Sequence, residues 1–196
     1  GLGDVYKRQS DKGSGHHNYT VYYDKLFGHL VDTPGVNVFE VGIGTTSLKY
    51  KSSMGPRGIP GASLRGWSEW FGQASIYGAD IDPDIMIKEG NIATFVVDQT
   101  SPRSIQDMWK NLEDTQFDVI IDDGLHEWHA NHNFLMNSYF KLKKNGIYVV
   151  EDIHELHLKK FEDSLDIYKN IFKSVEIVHI PNPHNTVDNT LLVCRS

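Results

Sequence analysis

Cysteine is almost absent: Cys194 is the only one, which excludes an internal disulfide framework and fits a reducing compartment. Its place in the apolar run Leu191-Leu192-Val193-Cys194 predicts a buried strand residue rather than a reactive thiol. Positive charge is also in deficit. With 19 Lys and Arg against 26 Asp and Glu, the formal charge is -7, which argues against a nucleic-acid partner, because phosphate binding wants a basic surface. No apolar run approaches the ~20 residues that cross a bilayer, and the start does not read as a signal peptide. The expectation is a cytoplasmic chain without a membrane partner.

At 196 residues the chain fits one domain with a real hydrophobic core. Its start is unusual. Gly1 to Gln9 (GLGDVYKRQ) resembles translated sequencing-adapter read-through, so this segment is expected to be non-native or disordered, with the native N-terminus missing. Residues 10–196 are then expected to form the single domain.

Strand and helix signals alternate along the rest. Val36–Val41 is an apolar, β-branched run ending in glycines, and a Gly/Pro/Ser-rich loop follows over Thr45–Gly61. Helical spacing predicts helices over Ser63–Phe71, Ser101–Leu112, His126–Lys143 and Leu156–Phe172. Further strands are expected at Ala74–Ala79, Ile92–Val97, Phe117–Ile121, Ile147–Val150, Val175–Ile180 and Thr190–Arg195. The pattern predicts an α/β fold of three layers, a Rossmann-like doubly wound sheet. It should be mostly parallel, with one antiparallel strand near the edge, because the last two strands are joined by a short link. That ending separates a class I methyltransferase fold from an all-parallel dinucleotide fold.

In open α/β sheets ligands bind beyond the C-terminal strand ends, and polar residues gather there in this chain. Glu40-Val41-Gly42-Ile43-Gly44 offers a tight turn whose backbone can approach a ligand, although strand–helix packing alone also explains such glycines. Asp80, at the end of Ile76-Tyr77-Gly78-Ala79-Asp80-Ile81-Asp82, is placed to accept hydrogen bonds from ribose hydroxyls. Asp98 and Gln99 end the next strand and suit an adenine edge. Asp82 and Asp98 could equally cap the turns that follow. The third glycine of a pyrophosphate-binding turn is missing, since the run continues Thr45-Thr46-Ser47. A donor without a pyrophosphate, S-adenosyl-L-methionine, fits that better than a dinucleotide, and Glu40 could face its cationic end.

A second polar cluster lies at Asp122-Asp123-Gly124-Leu125-His126 and Glu151-Asp152. Carboxylates converging from neighbouring strand ends would repel and resist desolvation. A hard divalent cation, Mg2+ or Mn2+, resolves the conflict; helix capping by Asp123 and Asp152 is the plainer alternative. His126 stands where a neutral imidazole could take a proton from an acceptor hydroxyl. His129 and His132 add a histidine array at helical spacing, but no thiolate accompanies it as a zinc site would want.

Taken together, these stretches resemble a known family. Asp11-Lys12-Gly13-Ser14, the Glu40–Gly44 turn, Gly61-Ala62-Ser63-Leu64-Arg65-Gly66-Trp67, Ile76–Asp82, Asp98-Gln99, Ile121–His126 and Val150-Glu151-Asp152 occur in the same order as in it. That family is the metal-dependent sugar O-methyltransferases of macrolide and aminocoumarin biosynthesis, with the related cephalosporin-hydroxylase-like group. The resemblance implies a magnesium site from Asp123, Glu151 and Asp152, with His126 as general base. It also implies donor contacts around Glu40, Gly42, Ser63, Asp80 and Asp98; Gly44, Asp82, Gln99 and Asp122 are further candidate donor residues from the strand ends themselves. Leu125 stands where many members have Ser, and the long acceptor-binding insertions are missing. Short relatives of this kind often accompany surface-polysaccharide genes, so the expected acceptor is a sugar or glycosylated metabolite, and a homo-oligomer is an open expectation.

Two other functions compete. A nicotinamide-dependent oxidoreductase of Rossmann type would want the third glycine and a Tyr-x-x-x-Lys pair, neither of which is clear. A non-catalytic S-adenosylmethionine-binding domain would not need Asp123, His126, Glu151 and Asp152 together.

Overall fold

The computed structural model describes Leu2, Lys12 and residues 17–52, 54–56 and 58–196. In chain order its regular elements are α1 (Tyr19–Phe27), β1 (Asn37–Val41), α2 (Ala62–Phe71), β2 (Ser75–Asp80), β3 (Lys88–Glu89) and β4 (Ile92–Val96). There follow α3 (Pro102–Lys110), β5 (Phe117–Asp122), α4 (Trp128–Met136) and β6 (Leu142–Val150). The last are α5 (Glu155–Asp163), α6 (Leu165–Lys169), β7 (Ser174–His179) and β8 (Thr190–Arg195).

The strands form one sheet in the order β3-β4-β2-β1-β5-β6-β8-β7. Its centre, from β4 through β6, is parallel. β8 runs antiparallel to both neighbours, which leaves β7 parallel to β6 at the edge. A second antiparallel member, two-residue β3, borders β4 and was not expected from the sequence. Strand order reverses around β1, which lies between β2 and β5. The C-terminal ends of β1 and β5 are therefore the switch point where such sheets hold ligands.

Two cores sandwich the sheet. One contains Val38, Ile76, Ile121 and Val149 with Tyr23 and Phe27 of α1 and Leu64 and Trp67 of α2. Phe39, Ile120, Tyr148 and Val150 point the other way, toward Trp109 of α3, Phe134 of α4 and Phe161 of α5. Successive strand residues alternate between these cores, as the pleat requires. Cys194 is buried in the second core, and burial pushes its thiol up. Of the segment expected to lie apart from the fold, only Leu2 is described, and it is buried in the first core; the rest of residues 1–9 lie outside the described residues.

Three helix expectations change. α4 stops at Met136, short of Lys143. The chain there is drawn in by Trp109, whose indole donates to Ser138, and by buried Lys141, whose ammonium lies 2.6 Å from the Leu112 carbonyl oxygen. Lys143 instead belongs to β6, where Asn145, at φ 64°, leads a bulge that moves the pairing from Phe117–Leu142 to Val119–Ile147. The single helix read over Leu156–Phe172 is two, parted at Ser164, whose hydroxyl turns back to the Lys160 carbonyl. Helix α1 was not foreseen: Tyr19, Tyr23 and Phe27 repeat every fourth residue and are fully buried.

Candidate active site

The turn after β1 ties three strand ends together. Gly42 and Gly44 have φ of 87° and 80°, a region that L side chains rarely adopt. Gly42 N–H donates to the Ala79 carbonyl at 2.8 Å, and Asp123 N–H donates to Val41 at 2.9 Å. A Cβ on Gly42 would meet the Asp123 carbonyl oxygen at 2.0 Å, so no side chain fits between these two segments. Asp80 then caps the turn, accepting from Ile43 N–H at 3.0 Å and from Asp82 N–H at 3.2 Å. Burial raises Asp80 above its ordinary value, against the pull of those backbone donors.

Beyond this turn opens a cavity of about 640 Å3. That is room for a nucleoside-sized ligand with a second small molecule. Gly42, Gly44, Ser63, Asp80, Asp98 and Gln99 line one end, and Asp123, His126 and Asp152 line its floor. The far end is made by His17 and by Asn185, Val187 and Asp188 of the β7–β8 loop. Met54, Gly58 and Ile59 of the long loop also line it, and Lys51 donates to Glu127 at 2.5 Å.

Four candidate donor or metal residues do not line the cavity. Glu40 is fully buried under α2, where Ser63 and the Trp67 indole donate to its two oxygens. Asp82 takes Thr45 Oγ1 at 2.5 Å and caps a turn through Asp84 N–H at 3.0 Å. Asp122 points into the opposite core, accepting from Gln99 at 2.6 Å and from Gly124 N–H at 3.2 Å. Its other oxygen has no hydrogen-bond partner among the described residues, and burial raises the carboxyl to about 6. Glu151 turns toward α1, between the Tyr23 hydroxyl at 2.7 Å and the Lys12 ammonium at 2.7 Å.

The floor of the cavity is the most charged part of the molecule. Asp123 lies between two cations, with Oδ2 2.6 Å from Lys12 Nζ and Oδ1 3.1 Å from His126 Nε2. Asp152 Oδ1 accepts from the Tyr19 hydroxyl at 2.6 Å and lies 3.2 Å from His17 Nδ1. Its Oδ2 is 3.9 Å from His126 Nε2. Burial opposes ionisation of Asp123, but Lys12 and His126 outweigh it and hold the carboxyl at about 2. For Asp152, burial and the neighbouring Asp123 charge prevail and raise it to about 6. Burial would lower His126; the hydrogen bond to Asp123 and the charge of Asp152 reverse this and raise the imidazole to about 9. Burial also lifts Glu151 well above the usual carboxylate range, against the pull of Lys12.

His126 and Asp152 have φ of 56° and 54°. Left-handed backbone costs a non-glycine residue about 1–2 kcal/mol. Two such residues facing one another across a cavity are the kind of strain that accumulates at functional sites. Asp123, His126 and Asp152 each offer a ligand atom, all within 4.8 Å of one another. Two carboxylate oxygens and an imidazole at that spacing fit a divalent cation. The two further histidines of the helical array lie apart: His132 bonds the Tyr168 hydroxyl at 2.8 Å, and exposed His129 lies 3.4 Å from Glu127.

Several of these contacts were missed from the sequence. Lys12 was seen only as part of a motif, and His17, Tyr19 and Tyr23 were not singled out. A run of aromatics at every fourth position before the first strand was the available signal.

No protein-family model matches the chain. Among curated proteins, it is 29% identical over 166 residues to the 8-demethyl-8-alpha-L-rhamnosyl tetracenomycin-C 2'-O-methyltransferase of Streptomyces olivaceus, covering 85% of this chain and 41% of the relative. It is 30% identical over 164 residues to the demethylmacrocin O-methyltransferase of Streptomyces fradiae, covering 83% of this chain and 38% of that protein. The chain thus spans about two fifths of the length of the curated relatives it matches. Among solved structures, MycE methyltransferase from the mycinamycin biosynthetic pathway, in complex with Mg and SAH, superposes with a TM-score of 0.76 at 21% identity. That match covers 99% of this chain and 54% of the other. The chain has the fold of this methyltransferase structure, and over most of its length its sequence is similar to these two O-methyltransferases of Streptomyces.

Proposed function

We propose that the chain is an S-adenosylmethionine-dependent, divalent-metal-assisted O-methyltransferase acting on a hydroxyl of a sugar or glycosylated metabolite. The observation that carries this reading is one cavity lined both by Gly42, Gly44, Asp80 and Asp98 and by the Asp123, His126 and Asp152 cluster. The names of the relatives supply the acceptor class: a rhamnosyl tetracenomycin in one and demethylmacrocin in another. Asp123 and Asp152 would hold the ion, with the His126 imidazole next to it.

Each end of the cavity has its task. Asp80 and Asp98 offer acceptors for the ribose and adenine of the donor, and Gln99 is committed elsewhere, bonded to Asp122 and to Leu125 N–H. The acceptor sugar sits against His17, Asn185 and Asp188, whose polar groups suit a ring with several hydroxyls. A bound divalent cation supplies charge that polarises the acceptor hydroxyl and offsets the carboxylates that otherwise keep His126 protonated. His126 takes the hydroxyl proton on Nε2, the atom nearest Asp123 and Asp152. The resulting oxygen attacks the donor's methyl carbon in line as the carbon–sulfur bond breaks, leaving the thioether. Holding both substrates in one closed cavity supplies much of the acceleration.

Calorimetry with S-adenosylmethionine and with NAD, each with and without Mg2+, tests the reading. Donor binding without NAD binding is expected. Heat with NAD alone would overturn it in favour of an oxidoreductase. Methyl transfer from labelled donor to a panel of rhamnosides and other glycosides then tests the acceptor class. A surface-polysaccharide sugar as the acceptor, and a cytoplasmic setting, belong to the same proposal.

A further inference from the structure

A lysine with 1% exposure is unusual unless paired, and Lys12 lies in the most acidic part of the molecule. Its ammonium contacts Asp123 at 2.6 Å and Glu151 at 2.7 Å, and stands 3.9 Å from Glu40. These carboxylates come from three strand ends, while Lys12 arrives from the opposite end of the chain. A clamp fixing the N-terminal segment to the sheet would need only Glu151. Lys12 goes further: it shares Asp123 with the metal-binding face of the cavity, one carboxylate oxygen turned to Lys12 and the other to His126.

We propose that Lys12, anchored on Glu151, is the resident counter-ion of the acidic centre and competes with the divalent cation for Asp123, so that it sets the affinity of the site. The inference rests on the metal reading above. Without any cation, buried Glu40, Glu151 and Asp152 and half-buried Asp123 would be four acids in mutual repulsion. Lys12 relieves that repulsion when no ion is held, and repels the ion when one arrives. Even at the dielectric of water, a unit and a divalent charge on either side of one carboxylate repel by more than a tenfold change in affinity. The same contacts tie the segment bearing Lys12 to the occupancy of the site.

The test is Mn2+ binding to the whole chain, followed by electron paramagnetic resonance of free Mn2+ at pH 8, for wild type, Lys12→Met and Lys12→Arg. Lys12→Met should bind Mn2+ at least about tenfold more tightly. Lys12→Arg keeps the charge and should stay within about threefold of wild type. If Lys12→Met needs the ion to fold, Mn2+ will raise its Tm far more than that of wild type, the same antagonism read through stability. Equal affinity in wild type and Lys12→Met would overturn the proposal while leaving the metal site intact. So would a Lys12→Met chain that stays unfolded at saturating Mn2+, with Lys12→Gln behaving alike, which would make Lys12 a structural clamp. Failure of all variants and of wild type to bind Mn2+ would overturn the metal reading together with the Lys12 proposal.

Discussion

Replacing Gly42 by Ala puts the central turn to a quantitative test, because its neighbour Gly44 provides an internal control. Both glycines have φ near 80–90°, so alanine at either position incurs about 1–2 kcal/mol of backbone strain. Their surroundings differ. At Gly44 the new methyl meets the end of the Met54 side chain, which can swing away. At Gly42 it meets backbone: the Asp123 carbonyl oxygen at 2.0 Å, its carbon at 2.4 Å and Gly124 Cα at 2.6 Å. Backbone cannot yield without moving Asp123, so an overpacking penalty of about 1–3 kcal/mol is added there. Gly42→Ala should therefore lose about 2–5 kcal/mol and Gly44→Ala about 1–2 kcal/mol, read by urea unfolding at fixed pH. The displacement of Asp123 should also weaken Mn2+ binding in Gly42→Ala, whereas Gly44→Ala keeps it. Equal losses in the two variants, with Mn2+ affinity unchanged, would refute the claim that this turn positions Asp123.

Two more outcomes follow from the site. His126→Ala should lower kcat by about 10²–10⁴-fold with little change in acceptor KM; a rise in KM alone would remove the base assignment. Asp122, buried and raised from 3.8 to about 6, gives a pH signature. Its folded form takes up a proton below pH ~6 while the unfolded chain waits until about pH 4. This group's contribution therefore falls as pH rises from about 4 to 6 and stays low above that, a difference of order 3 kcal/mol. Asp122→Asn should be more stable than wild type at pH 8, and the gain should vanish near pH 4. A variant less stable at pH 8 would show that the carboxylate's bonds to Gln99 and Gly124 outweigh its burial.

Much of the frame could be read from the sequence because it rests on patterns that tertiary contacts reinforce. Continuous apolar runs gave the central parallel strands, and the short Pro/Asn/His link gave the closing antiparallel pair. What escaped depends on single side chains. Lys141, burying its stem and bonding two carbonyls, ends a helix that its own periodicity would continue. Helix α1 carries aromatics at every fourth position, but lies in a polar, Gly-rich opening that reads as loop. The role of Lys12 follows only from its meeting carboxylates 111 and 139 residues away.

The site shows the same division, and strand parity explains it. Three of the acids expected at the cavity sit in or next to strands whose alternation was legible. Glu40 continues the face of Val38, toward α1 and α2, and therefore meets Ser63 and Trp67 instead of a ligand. Glu151 follows Val149 to that same face and meets Tyr23 and Lys12. Asp122 follows Ile120 to the opposite core, where it supports Gln99. Each pair of adjacent acids, Asp122-Asp123 and Glu151-Asp152, thus divides its work: the first member continues the pleat and braces the framework, and the second faces the cavity. Counting by twos from the apolar residues of each strand would have made that division from the sequence. The turn itself was beyond such counting, because His126 and Asp152 take left-handed backbone that no periodicity foretells. Glu40 and Glu151, each held by two donors, should accordingly tolerate loss of charge only where those donors are also replaced, whereas the cavity acids answer to whatever cation the floor holds.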